Sequence, residues 1–286
     1  MPGKLFVIAT PIGNLGDMSD RVKECLANCD LILAEDTRVS IKLLNHLGIK
    51  KRMQSCHNFN EESKLKEITQ ASRLNQTVAL LSDAGTPLIS DPGFQIVRQA
   101  IACDMQVVPI PGPSAFLVAL TGSGLPVNRF TFEGFLPDKI SALKSKLAEL
   151  KIEERTMVFY VAPHKLEKTL SLMEEILGDR PACIGRELTK IHEQFLRANL
   201  SELKNLVKGR HVLGECVLVV QGCDRDKTKN SAGDTSEAKI LLTIKKMLAK
   251  GMGAKEISVD CAQRFGLRRS KAYELVVSCV EKERRS

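Results

Sequence analysis

Four short, nearly uninterrupted apolar runs, Leu5 to Ala9, Leu31 to Ala34, Val78 to Leu81 and Gln106 to Ile110, punctuate the first 110 residues. A run that is apolar at every position, not every second one, is buried on both faces. The spacing leaves room for helices between the runs, and the stretch Asp17 to Asn28 reads as one. This pattern predicts a mainly parallel sheet covered by helices, an α/β architecture. At 286 residues the chain exceeds one small domain, and 43% hydrophobic residues suffice for more than one core. Tryptophan is absent and aromatics make up 4%, so those cores are aliphatic.

After Gly122-Ser-Gly-Leu-Pro126 the pattern changes. Further strands are expected at Phe130 to Phe132, Thr156 to Val161, Ala182 to Gly185, Gln194 to Leu196 and Cys216 to Val220. Helices are expected near Ser141 to Lys151, Lys165 to Leu177 and Ser201 to Val207. The sequence thus divides into a parallel-sheet domain over 1–120, a mixed-sheet domain over 121–222, a polar linker over 223–235 and an all-helical tail over 236–286. Three helices are expected in the tail: Ser236 to Lys250, Lys255 to Arg264 and Arg269 to Val280. From Lys227 onward there are 14 Lys/Arg against seven Asp/Glu, which leaves 28 against 27 for everything before it. A near-neutral body with a basic tail suggests a polyanionic partner, a solubilising tail being the alternative. Arg268, Arg269 and Lys271, after a Gly266-Leu267 turn, would start the second helix of a helix-turn-helix-like pair and could contact phosphates. A helical cap or a dimerisation module would produce the same pattern.

The nine cysteines include no CxxC pair, and the five histidines add no zinc spacing. Cys25 and Cys29 read as apolar packing. The run from Leu5 to Ala9 is too short for a signal peptide, and no stretch nears the roughly 20 apolar residues of a membrane span. Together these predict a cytoplasmic protein.

In an open parallel sheet, ligands bind at the carboxyl ends of the strands. Here Pro11, Gly13 and Gly16 shape the first such loop, Asp83, Gly85 and Pro87 the third, and Pro111, Gly112, Pro113 and Ser114 the fourth. The second strand ends in Glu35-Asp36-Thr37-Arg38. Small or rigid residues let backbone amides approach a ligand closely. Neither GxGxxG nor GxxxxGK[ST] is present, which disfavours nicotinamide dehydrogenases and phosphate-cradling NTPases. A nucleoside-like ligand lacking a phosphate chain remains. S-adenosylmethionine fits that description, and so do other metabolites.

Several segments resemble the tetrapyrrole-methylase-type methyltransferases: Ala9-Thr-Pro-Ile-Gly-Asn-Leu-Gly16, Ala34-Glu-Asp-Thr-Arg38, Leu81-Ser-Asp-Ala-Gly-Thr-Pro87 with Ser90-Asp-Pro-Gly93, and Pro111-Gly-Pro-Ser-Ala115. Phe132-Glu-Gly-Phe-Leu-Pro137, Pro163-His164, Arg186-Glu-Leu-Thr-Lys190 and His192-Glu193 resemble, within that family, the branch that methylates a cytidine 2′-hydroxyl of small-subunit ribosomal RNA. The resemblance covers nearly the whole chain. It implies a two-domain fold holding S-adenosylmethionine in the cleft between the domains, no metal, and a homodimer acting on ribosomal RNA or the assembled small subunit. By position, Pro11, Asp83, Ala84, Gly85, Thr86, Ser114 and Ala115 would contact the cofactor from one side. Tyr160, Leu188, Leu213 and Gly214 would do so from the other. A carboxylate at Asp83 can bond the cofactor's ammonium or ribose hydroxyls, whereas an Asx-turn or cap is its structural alternative. The chain departs from the family at Val161 and Lys165, where Glu and Arg are expected. The first change removes a carboxylate and the second a bidentate phosphate clamp.

A ribose hydroxyl needs an acceptor for its proton. Glu35, Asp36, His57, Glu187 and His192 are the candidates, Glu35 and Asp36 first, with Lys190 or Arg186 orienting a phosphate or tuning a neighbouring pKa. Arg38, His57 and Arg186 are further candidates for RNA contact. The competing roles are a salt-bridged helix start for Glu35 and Asp36 and a surface ion-pair cluster around Arg186. Two other functions compete: C-methylation of a precorrin or uroporphyrinogen, and a non-catalytic RNA-binding metabolite sensor.

Overall fold

The computed structural model describes residues 2–57, 60–210, 214–224, 240–248, 252–265, 267 and 269–284. Two compact units divide the chain, Met1–Gly222 and Cys223–Ser286. In the first unit, β1 (Lys4–Ile8), β2 (Leu31–Ala34), β3 (Met53–Ser55), β4 (Thr77–Leu81) and β5 (Gln106–Ile110) form one parallel sheet in the order β3-β2-β4-β1-β5. The expected strands are present, and one is added. The edge strand β3 spans three half-buried residues and offers no apolar run to read.

Alternation along these strands feeds two cores. Leu5, Val7, Leu31, Leu33, Val78 and Leu80 pack with α3 (Glu61–Arg73) and α4 (Phe94–Ala102) through Ile68, Ala71, Ile96 and Ala100. Ile8, Ile32, Ala34, Ala79 and Leu81 face the other way, onto Val22 and Leu26 of α1 (Asp20–Asn28) and Leu44 of α2 (Thr37–His46). Helix α1 starts later than the expected Asp17, because Ser19 caps it through the Val22 amide and a 3-10 turn occupies Leu15–Asp17.

A second sheet follows, ordered β6-β7-β10-β8-β9: β6 (Phe130–Phe135), β7 (Thr156–Val161), β8 (Pro181–Arg186), β9 (Gln194–Asn199) and β10 (Cys216–Val220). Among these strands only β6 and β7 pair in parallel, so the sheet is mixed. One face carries α6 (Ile140–Leu150), α7 (Leu166–Leu177) and α8 (Leu200–Val207). The other face, with Val158, Cys183, Val217 and Val219, packs on Ala119 and Leu120 of α5 (Ala115–Gly122). Helix α5 leaves the first sheet and buries itself on the second, which joins the two sheets through one apolar layer. At that contact Gly185 lacks a Cβ that would stand 3.3 Å from the Ala119 Cβ.

In the second unit, α9 (240–248), α10 (Ala254–Phe265) and α11 (Arg269–Arg284) enclose a small core of Ile240, Ile244, Ile257, Cys261, Ala272, Val276 and Cys279. Arg268, Gly266 and most of the expected linker lie outside the described residues. Among the described residues, no helix is long and apolar enough to cross a membrane.

Candidate active-site cleft

The carboxyl ends of β1, β2, β4 and β5 release four loops that are bonded to one another. Thr10 and Gly85 exchange both backbone bonds, at 2.8 and 3.0 Å, and the Thr10 hydroxyl donates to the Ser82 carbonyl at 3.1 Å. The Thr86 hydroxyl donates to the Pro113 carbonyl at 3.2 Å. Asp83 Oδ1 accepts the Asp36 amide at 2.9 Å, while the Asp83 amide donates to Glu35 Oε2 at 3.3 Å. Each loop therefore restrains its neighbour, and the rim is held by the chain's own hydrogen bonds. In the third loop Gly85 sits at φ 83°, and the non-glycines Leu88 and Ser90 sit at 73° and 68°. Left-handed residues at a binding loop store about 1–3 kcal/mol each and hold their neighbours in set directions.

The opposing wall comes from the second sheet. Strand β7 ends in Tyr160 and Val161, paired with Val217 and Cys216 at the start of β10. The loop after β8 carries two more left-handed non-glycines, Glu187 at φ 50° and Thr189 at 64°. Glu187 Oε1 accepts from Lys190 Nζ at 3.0 Å and from the Glu215 amide at 3.1 Å. The two loop sets meet at Gly13, where an added Cβ would collide with Lys190 Cγ.

Between the walls lies a cavity of about 390 Å³, open to Ile12, Ala84, Gly85, Thr86, Ile89, Ser90, Asp91 and Ala115 on one side. Phe135, Tyr160, Val161, Ala162, Pro163, Glu215, Cys216 and Val217 form the other. This is a nucleoside-sized volume. Its lining among the described residues includes two carboxylates, Asp91 and Glu215, and no lysine, arginine or histidine. A phosphorylated ligand would find no cationic side chain among these lining residues, whereas a cationic nucleoside with an apolar body suits them. A chamber of about 470 Å³ adjoins it and shares Phe135, Tyr160, Val161 and Ala162. Val161 is buried between the two, and Lys165 in the second chamber pairs with Asp138.

Of the residues expected from sequence, Ala84, Gly85, Thr86, Ala115 and Tyr160 line the cavity. Pro11, Asp83, Ser114 and Gly214 each adjoin a lining residue without lining it themselves, and Leu188 is buried in the apolar layer under α5. Leu213 lies outside the described residues. Asp83 makes neither an Asx-turn nor a cap; it ties the third loop to the second. Asp36 caps α2 and holds the exposed Arg38 at 2.6 Å; that hydrogen bond brings its carboxyl down to about 2, which makes it a weak proton acceptor at neutral pH. Burial raises the Glu35 carboxyl, and the Asp83 and Asp36 charges add to it against the Asp83 amide. The hydrogen bond from Lys190 holds Glu187 below the usual range. For Lys190 burial works downward, but the Glu187 bond and the Glu215 charge outweigh it. Arg186 and His57 are partly buried, and His192, Arg269 and Lys271 are exposed.

The structure adds Asp91, Phe135 and Glu215 to the site. The first two stand inside the Ser-Asp-Pro-Gly and Glu-Gly-Phe-Leu-Pro segments, which marked the places without marking the roles. Burial pushes the Cys216 thiol up to about 11 and raises the Tyr160 phenol, so neither is ionised at neutral pH.

The profile of the tetrapyrrole (corrin/porphyrin) methylases matches residues 4–204. A ribosomal RNA small subunit methyltransferase I of Pseudomonas aeruginosa is 42% identical over 275 residues, 95% of this chain and 96% of its own length. Proteins of the same name from Xylella fastidiosa and Haemophilus influenzae are 46% and 38% identical, covering 81% and 99% of this chain and 86% and 99% of their own lengths. In fold, the chain is similar to a uroporphyrin-III-C-methyltransferase from Thermus thermophilus, with a TM-score of 0.54 at 17% identity over 77% of this chain and 94% of the other.

Proposed function

The chain belongs to the tetrapyrrole methylase family and is a methyltransferase, and from that membership we propose that it methylates the 2′-hydroxyl of a cytidine in small-subunit ribosomal RNA with S-adenosylmethionine as donor. The observation that carries the cofactor assignment is the cavity lined by carboxylates with no basic side chain among the described residues. A donor with a sulfonium and an ammonium gains from that field, and its adenosine can rest on the apolar wall around Tyr160 and Val217. When bound, S-adenosylmethionine supplies an electrophilic methyl carbon. The chain's own work is to align the hydroxyl with that carbon, exclude water and accept a proton; alignment alone can remove about 7–11 kcal/mol of barrier.

Ala84, Gly85, Thr86 and Ala115 would hold the donor from the first sheet, with Asp83, Pro11 and Ser114 fixing the loops that present them. Tyr160, Leu188 and Gly214 would support it from the second. Lys190, held by Glu187 at the mouth, would meet RNA phosphate along with Arg38, Arg186 and His57. The deciding experiment incubates the full chain and radiolabelled donor with small subunits lacking the modification, with free ribosomal RNA and with a uroporphyrinogen. Label in cytidine 2′-O-methyl groups is expected. Label in the porphyrinogen instead, or in nothing, would refute the assignment.

A further inference from the structure

Resting on the reading of this cleft as a hydroxyl-methylating site, we infer that Asp91 is the catalytic residue that takes the proton of the acceptor hydroxyl. The other carboxylates at the strand tips are committed to structure. Glu35 accepts the Asp83 amide, Asp83 accepts the Asp36 amide, and Asp36 is clasped by Arg38. Glu187 carries Lys190 and the Glu215 amide. None of these four lines the cavity; Asp91 and Glu215 do. The Glu215 side chain is 78% exposed at the mouth, 3.5 Å from Lys190 Nζ. Asp91 is partly buried and follows the left-handed Ser90 in a loop bonded to its neighbours.

The titratable groups facing Asp91 are Glu35 from the end of β2, Asp83 from the third loop and the Tyr160 phenol from β7. Burial first, then the Glu35 and Asp83 charges, push the Asp91 carboxyl up to about 7. A group poised there can take a proton and release it again at neutral pH. In the transfer, the 2′-oxygen bonds to the methyl carbon and the carbon–sulfur bond breaks with its electron pair left on sulfur. The hydroxyl proton moves to an Asp91 oxygen and is later lost to water. The products are the 2′-O-methyl nucleotide and S-adenosylhomocysteine.

The test is Asp91→Asn in the full chain, assayed on small subunits lacking the modification. We expect kcat, measured at saturating S-adenosylmethionine, to fall roughly 10²–10⁴-fold, well beyond the rise in the calorimetric Kd that follows from losing one of the two lining carboxylates. The acidic limb near pH 7 in kcat/KM should disappear. In carbon-13 carboxyl spectra, the aspartate signal titrating near 7 should be present in the unaltered protein and absent from the variant. An unchanged kcat, a retained acidic limb, or a loss confined to Kd would overturn the inference while leaving the substrate reading intact. If the unaltered protein transfers no methyl to the subunits, the substrate reading fails first and the inference falls with it.

Discussion

Asp91 and Asp83 lie on one loop and differ in what their oxygens touch. Asp91 keeps a raised carboxyl pKa because the folded chain disfavours its ionised form. Between the unfolded value near 3.9 and about 7, the folded state therefore binds more protons than the unfolded state, and stability falls as pH rises. Asp91→Asn cannot ionise, so the variant should be more stable than the unaltered protein at pH 8 and equal to it near pH 4. Allowing for solvent screening of a partly exposed group, the gain is on the order of 1 kcal/mol, or roughly 2–4 °C in Tm. A thermal-melt series across pH measures it; a variant less stable at pH 8 would contradict the raised pKa. Asp83→Ala removes instead the acceptor that binds the Asp36 amide at 2.9 Å. Hydrogen bonds to charged groups contribute about 1.5–3 kcal/mol. If the loop's order passes to the donor site, affinity for S-adenosylmethionine should drop roughly 10–100-fold by calorimetry with circular dichroism unchanged. Undiminished binding would remove Asp83 from any role in presenting Ala84 to Thr86.

Elements were legible where a physical period was strong. Strands β2, β7 and β10 occupy the spans their apolar runs delimit, because burial on both faces leaves a continuous signature; β5 also keeps its expected span, but as an edge strand with Gln106 and Pro109 exposed. The loops between them were legible through Pro and Gly. The allegiance of α5 was not. Its eight residues are apolar nearly all round, so the sequence does not state which side is buried, as Ala119 and Leu120 are, or against which sheet. Asp91 went unassigned for a related reason: its place depends on left-handed Leu88 and Ser90, residue types that do not advertise that conformation. The end of α5 offers a test of how the two sheets are held. The Gly122 carbonyl accepts the Arg197 guanidinium at 3.1 and 2.5 Å, and a Cβ on Gly122 would run into the Phe195 ring. Gly122→Ala must displace that ring, at a cost of about 1–3 kcal/mol, and should lower Tm by several degrees in calorimetry. An unaltered Tm would mean that β9 gives way freely and does not clamp the helix.

Over the whole chain, charge and chemistry are separated in sequence. The cavity lies within Met1–Gly222, which contains the two sheets, while nearly all the excess positive charge falls after Lys227. The helices of the second unit close a core of their own, so their exposed cations are not needed to satisfy the interior. Arg269 and Lys271 are exposed in the first turn of α11, and Lys271 reaches Glu274 at 3.3 Å, a surface pair of little energetic weight. Cations that contribute so little to folding are available to phosphate, and each phosphate neutralised releases counterions. The double variant Arg269→Gln, Lys271→Gln should therefore weaken binding to small-subunit RNA and flatten the dependence of log affinity on log salt by about two, near one for each phosphate no longer neutralised. S-adenosylmethionine affinity should not move, because no basic side chain among the described residues lines the cavity. A slope equal to that of the unaltered protein would mean that the tail's charge serves another end, and RNA affinity would then have to come from cations of the first unit such as Lys190, Arg38 and Arg186.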